Sequence, residues 1–227
     1  MLLMSLNAAA KFLGDAAGEP AAAWLREALA DIEKERPAIT SFESAWAAAG
    51  RRLGTARLSA SIEEEQTLPF SPAGFCADEY GRTLLLQAVL RGQPPGTHAG
   101  LVDDIYSTGE LREQQAVLRA LPHLPDPQRF VSVAVEAVRA NALTVIESIA
   151  CENLYPARFF PDPAFNQLVL KCLFCAVSLR RLDGLRQRIN PELKRMVAGY
   201  VSERRAGGRP VPEDTSLVLE GDPNATV

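Results

Sequence analysis

The sequence predicts an all-α protein of stacked antiparallel helical hairpins, an irregular α-solenoid-like arrangement. Three observations predict it. Apolar residues recur at i, i+3, i+4 and i+7 through most of the 227 residues. No segment shows convincing period-2 alternation. The links between periodic stretches are short and bounded by proline, as in Pro125-Asp126-Pro127, Pro161-Asp162-Pro163 and Asn190-Pro191-Glu192. In each, Asp or Asn can accept hydrogen bonds from the first free N–H groups of a helix. The proline sits where its missing N–H costs nothing. Helices joined this way stack as hairpins, although no repeat of fixed period is present.

In order, residues 1–13 read as a short docking helix. Pro20 to Glu35 forms a helix with Ala21, Leu25, Ala28, Leu29 and Ile32 on one face, limited by Pro37. A capping-box pattern, Thr40-Ser41-Phe42-Glu43, opens the next, whose face is Phe42, Ala45, Trp46, Ala49 and Leu53. Residues 54–77 form a long connector with one short helix near 58–66 and a solvated acid run, Glu63-Glu64-Glu65. Asp78 to Arg91 is helical, with Gly81 as a weak point. A further turn starts near Thr97, and Gly109 to Leu121 is the next helix.

Three helix patterns follow. Phe130, Val133, Ala134, Ala137 and Val138 share a face from Asp126 on, and Ala142, Val145, Ile146, Ile149 and Ala150 share the next. The third helix, about Asp162 to Val177, carries Phe165, Leu168, Val169, Cys172, Leu173 and Ala176 on one stripe. Leu170, Phe174 and Val177 extend it round the cylinder. A helix apolar nearly all round belongs in a core or an interface. Helices over 178–188 and Pro191 to Arg205 complete the set. Residues 1–210 then make a single α-helical domain, and 211–227 a frayed acidic tail.

A net charge of −4, with 23% charged residues, excludes general attraction to nucleic acid or to an anionic membrane surface. The N-terminus lacks the basic region and long apolar core of a signal peptide. The apolar run interrupted by Lys171 is too short to cross a bilayer. Cys172 and Cys175 have CxxC spacing, but inside a helix with no preceding strand, so Cys76, Cys151, Cys172 and Cys175 read as free thiols in a reducing cytoplasm. His98 with Asp103 and Asp104 invites a metal reading, but these side chains point in different directions on a helix. Neither a metal nor a cofactor is expected.

The densest polar cluster is Cys151-Glu152-Asn153-Leu154-Tyr155-Pro156-Ala157-Arg158, between a helix end and the Asp162 helix start. In a hairpin, Glu147, Glu152, Asn153, Arg158 and Asn166 can converge. With Tyr155 and Lys171 they form the candidate ligand-binding set. Arg158 and the nearby helix N-terminus suit a small anionic metabolite. The competing reading is structural: a Glu152–Arg158 ion pair, Asn153 as a helix cap and Tyr155 packed with a hydrogen bond. Catalysis is less well supplied. Cys151 needs a base and only His123 is placed for it. Lys171 can serve as a Schiff-base lysine, or simply snorkel. No catalytic residue is assigned.

ALPHLPDPQRF, SIACENLYPARFFPDPAFNQLVLKCLF and NPELKRMVAGYVSERRAGGRPVP resemble the EboA family of bacterial proteins over roughly residues 115–213. The resemblance implies a small α-helical cytoplasmic protein encoded in a conserved metabolic gene cluster. The neighbouring genes look like a membrane prenyltransferase, a TatD-like hydrolase, a sugar-phosphate-isomerase-like barrel and a cyclitol-synthase-like protein. The cluster is associated with making or exporting a secondary-metabolite precursor to the periplasm. It implies no catalytic residues. Relatives are sometimes labelled sugar phosphate isomerases, yet nothing in this chain reads as a βα barrel.

Three functions are therefore expected, in this order. The first is a non-catalytic helical protein binding a metabolite or a partner enzyme of the same gene cluster. The second is a small enzyme using carboxylates and Arg158 on a sugar-phosphate- or cyclitol-like substrate. The third is a pure scaffold, with an exposed apolar face along Leu193 to Val201 and no pocket.

Overall fold

The computed structural model describes residues 2–34 and 39–220. These form α-helices and short 3₁₀ turns with no β-strand among the described residues, apart from two isolated bridges, Arg57 with Cys76 and Cys151 with Leu182. The all-α class follows the 3.6-residue periodicity. Where the sequence suggests one domain, the chain divides into two compact units, one ending at Phe130 and one beginning at Val131.

The first unit contains α1 (Leu2–Ala17), α2 (Glu19–Lys34), α3 (Ile39–Leu53), α4 (Ile62–Glu65), α5 (Ala77–Arg91), α6 (His98–Thr108) and α7 (Leu111–Ala120). α5 is its axis, with α1, α2, α3 and α7 all packed against it. The face expected for α3, from Phe42 to Leu53, is the face it buries. The Thr40 capping box is not its start, because the helix already runs from Ile39 and Thr40 is an exposed residue within it. Pro37, expected to end α2, lies outside the described residues. Gly81 is a requirement of the packing rather than a weakness. A Cβ there would meet Leu53 Cδ1 at 2.1 Å, so glycine lets α3 approach α5. The connector over 54–77 holds only α4, started by a capping box between Ser61 and Glu64. Leu58, Leu68 and Phe75 anchor it by burial.

The helix expected from Asp126 breaks in two. Asp126 takes φ +49°, its carboxylate pairs with Arg129 at 3.1 Å, and a 3₁₀ turn, Pro127–Phe130, follows.

The second unit contains α8 (Val131–Ala137), α9 (Leu143–Ala150), α10 (Tyr155–Phe159), α11 (Asp162–Phe174), α12 (Leu185–Arg188), α13 (Pro191–Ala206) and α14 (Thr215–Leu219). Asn190 caps α13 as the sequence predicts, its side chain accepting from Leu193 N at 2.9 Å. Asp162 does not cap α11. Pro161 holds that position without a side-chain bond, and the Asp162 carboxylate accepts from Arg188 instead. α11 stops at Phe174, short of Val177. Ala176 turns to φ +58° and Val177 N–H reaches back to Cys172 O at 2.9 Å, closing the helix with a left-handed cap. The helix expected over 178–188 is a 3₁₀ turn, Leu179–Arg181, and then α12. Gly184 between them takes φ +71° and lies so close to Ala157 that a Cβ would sit 2.6 Å from its Cβ.

Residues 211–220, read as a tail, contain α14 packed on α13 with Leu217 and Val218 buried. Asp214 secures it by accepting from Ser178 Oγ at 2.8 Å and Leu179 N at 2.7 Å. Residues 221–227 lie outside the described residues.

Candidate functional site

The polar cluster after α9 is held by two arginines that the sequence pattern does not single out. Arg181 donates to Glu147 at 2.7 Å and, through two nitrogens, to Glu152 at 2.8 and 3.1 Å. The hydrogen bonds to Glu152 and then to Glu147 hold the Arg181 guanidinium well above its usual pKa. Glu152 N–H also donates to Arg181 O at 3.0 Å, so side chain and backbone fasten the same junction. Arg188 donates to Pro156 O, Ala157 O and Phe160 O at 2.7–3.1 Å and to Asp162 at 2.9 Å. Its guanidinium lies 4.6 Å from the Phe165 ring centroid. It thereby satisfies the Ala157 and Phe160 carbonyls at the end of α10 and adds a second donor to Pro156 O, which also accepts from Phe160 N–H.

Within this frame the candidate residues separate. Glu147 and Glu152 meet on Arg181. Arg158 is exposed and makes no ion pair among the described residues, so the expected Glu152–Arg158 pair is replaced by Glu152–Arg181. Asn153 is buried, donates to Ser148 O at 2.9 Å and accepts from Tyr155 N at 3.0 Å, which starts α10. Tyr155 is fully buried beneath Phe159 and Phe160. Asn166 faces Asn190, with two reciprocal amide hydrogen bonds.

Lys171 is placed differently. It lines a groove of about 890 Å³ formed by α11 with the α8 segment and Tyr200 of α13. Val135, Val138, Leu170 and Phe174 give the groove apolar walls. Phe174, expected in a core or an interface, is 75% exposed at the edge, and Leu170 is only half-buried. The two cationic groups on the groove are Arg139, bonded to Glu136 at 2.5 Å, and Lys171, which has no ion pair among the described residues. Tyr200 OH is committed to Leu173 O at 3.2 Å. A second hollow of about 560 Å³, sharing Pro163 and Gln167, runs past Asn166, Asn190 and Met196.

The first unit holds a buried ion cluster that the sequence reading passed over. Asp78, fully buried, accepts from Arg82 at 2.8 Å and from Arg112. Arg112 also approaches Glu79 at 3.5 Å, and Arg82 approaches Glu113 at 3.8 Å. Arg82 lies 5.4 Å from the Trp46 ring centroid. Burial lowers the pKa of Arg82. Arg112 is also opposed by burial, but Asp78 and Glu79 raise its pKa overall. The cluster ties α5 to α7 and α3. Its signal, Asp78 and Arg82 one turn apart, is indistinguishable in sequence from a solvated helical pair.

No three His, Cys, Asp or Glu side chains group as a metal site among the described residues. None of the four cysteines forms a disulfide, and burial, then the neighbouring Cys151, Cys175 and Glu147, push the Cys172 thiol far up. Among the described residues no helix is long and apolar enough to cross a membrane.

Fold and site define an all-helical protein with an open, largely apolar groove in its second unit. The model of the family described as metabolite traffic protein EboA matches residues 7–219, nearly the whole chain. The chain belongs to the EboA family. No curated protein and no solved structure matches it.

Proposed function

We propose that this chain is a non-catalytic accessory protein that binds a small metabolite in the groove of its second unit during metabolite traffic. The groove itself carries the reading. Its volume of about 890 Å³ fits a small-molecule site, and its walls combine a mainly apolar lining with a few polar groups. The family's description as a metabolite traffic protein agrees with binding rather than turnover. The binding set we assign is Lys171, with Gln167, Leu170 and Phe174. Of the polar cluster, Glu147, Glu152, Asn153, Tyr155 and Asn166 are engaged in hydrogen bonds with neighbouring groups, which supports a framework role for them. A partner enzyme receiving the bound metabolite, and a cytoplasmic location, complete the proposal.

The test is native mass spectrometry of the protein purified from the cells that natively express it. A discrete small-molecule adduct is expected, and it disappears in Ala164→Trp, which fills the groove. An adduct that persists in that variant, or none at all, contradicts the reading.

A further inference from the structure

Resting on the groove as the binding site, we infer that its ligand is an amphipathic acid: an apolar body with one anionic head held at Lys171. Three features of the groove select this chemistry. Val135, Val138, Leu170 and Phe174 give the groove a mainly apolar lining. An aromatic ring 75% exposed at the edge stays in water unless something apolar covers it. And Lys171 sits half-buried in the last turn of α11, between the apolar side chains of Leu170 and Phe174 on the groove, without an acidic partner among the described residues.

The acidic groups nearby are already engaged. Glu136 is bonded to Arg139 at 2.5 Å and Asp162 to Arg188 at 2.9 Å, so neither neutralises Lys171. A ligand cation would therefore meet the uncompensated charge of Lys171 at the groove, whereas an anion meets an unpaired ammonium in a partly desolvated wall, where such contacts are stronger than in open water. A neutral apolar ligand would leave the Lys171 ammonium partly desolvated and unpaired, which is unfavourable. A docked peptide helix could bury Phe174 as well, but it would need a longer apolar stripe than this one, which Gln167, Lys171 and Arg139 interrupt.

Two fluorescent probes test this directly, since they share an apolar body and differ in charge: 1-anilinonaphthalene-8-sulfonate and neutral N-phenyl-1-naphthylamine. Each is titrated into the wild type, Lys171→Met and Ala164→Trp. The sulfonate is expected to bind more tightly than the neutral probe. Lys171→Met should weaken the sulfonate about three- to tenfold, as for loss of one partly buried charge contact, with little change for the neutral probe. Ala164→Trp should displace both. If both probes bind equally and Lys171→Met alters neither, while Ala164→Trp still displaces them, the acid preference is wrong and the groove stands. If Ala164→Trp leaves both probes bound, or neither binds the wild type, the groove is not a small-molecule site, and the proposed function falls with the inference.

Discussion

Asn166 and Asn190 exchange two side-chain hydrogen bonds, 3.0 and 3.3 Å long, between the second turn of α11 and the start of α13. The two helices carry walls of the groove, and this pair joins them at one end. Asn190 also caps α13 through Leu193 N–H. The two amides are therefore not equivalent. Asn190→Ala removes the cap and strands the buried Asn166 amide, and is expected to cost about 2–4 kcal/mol, from one cap and one unsatisfied buried group. Asn166→Ala leaves the half-buried Asn190 its cap bond and costs about 1–2 kcal/mol. Urea denaturation of both variants checks the order.

The arginines sort by what their guanidinium groups hold. Arg188 bonds three backbone carbonyls with its side chain only 17% exposed. Arg188→Met removes the donor from Ala157 O and Phe160 O, while Pro156 O keeps Phe160 N–H, and is expected to cost about 2–4 kcal/mol. Arg188→Lys recovers little, because one ammonium cannot reproduce the planar fork. Arg158→Ala, on a solvated side chain, stays within about 0.5 kcal/mol of wild type. Arg181 is 38% exposed, so Arg181→Met costs only about 1 kcal/mol despite its two carboxylate partners. Equal losses at positions 158 and 188 would contradict this ranking.

The contrast shows what was legible in the sequence. Local periodicity placed the buried faces of α3 and α9 and the Asn190 cap, because each depends on neighbours within one or two turns. The partners of Glu152 and Asp162 lie beyond local range, at Arg181 and Arg188, and only the fold brings them together. The apolar content of α11 was visible, but not that its Leu170 and Phe174 side would be left uncovered. That outcome depends on where α8 and α13 pack. Of the candidate residues, Lys171 lies on the α11 groove, and Glu152 pairs with Arg181 rather than Arg158.

The buried cluster of the first unit is sensitive to the loss of any single partner. Asp78→Ala leaves Arg82, 4% exposed, without its 2.8 Å acceptor. The expected cost is about 3–5 kcal/mol, the range for breaking a buried ion pair from one side. Exposed pairs such as Arg195 with Glu192 should contribute under about 1 kcal/mol by the same measurement. A mild effect at Asp78 would mean that water reaches the cluster.

Alkaline pH should unfold the chain earlier than its composition suggests. Burial raises Tyr80 above its ordinary value of 10.0 and Cys172 above 9.0. Folding therefore holds these protons more tightly than the unfolded chain does. The stability they contribute is complete below pH 9.0 and is lost as the pH rises through and beyond these ordinary values. Denaturation midpoints measured from about pH 8 to 11 should fall with rising pH, and the decline should be shallower in Tyr80→Phe and Cys172→Ala. Cys172 should also alkylate far more slowly than an unfolded thiol at pH 8 or so.

The central claim is that ligand binding belongs to the α11 groove and that the 147–158 cluster is framework. The most direct measurement is a crystal structure of protein purified from the cells that natively express it, without added ligand. The account predicts non-protein density along Val135, Leu170 and Phe174 with its polar end at Lys171. It also predicts Arg181 closed on Glu147 and Glu152. Density instead between Glu152 and Arg158, with the groove holding only solvent, would contradict it.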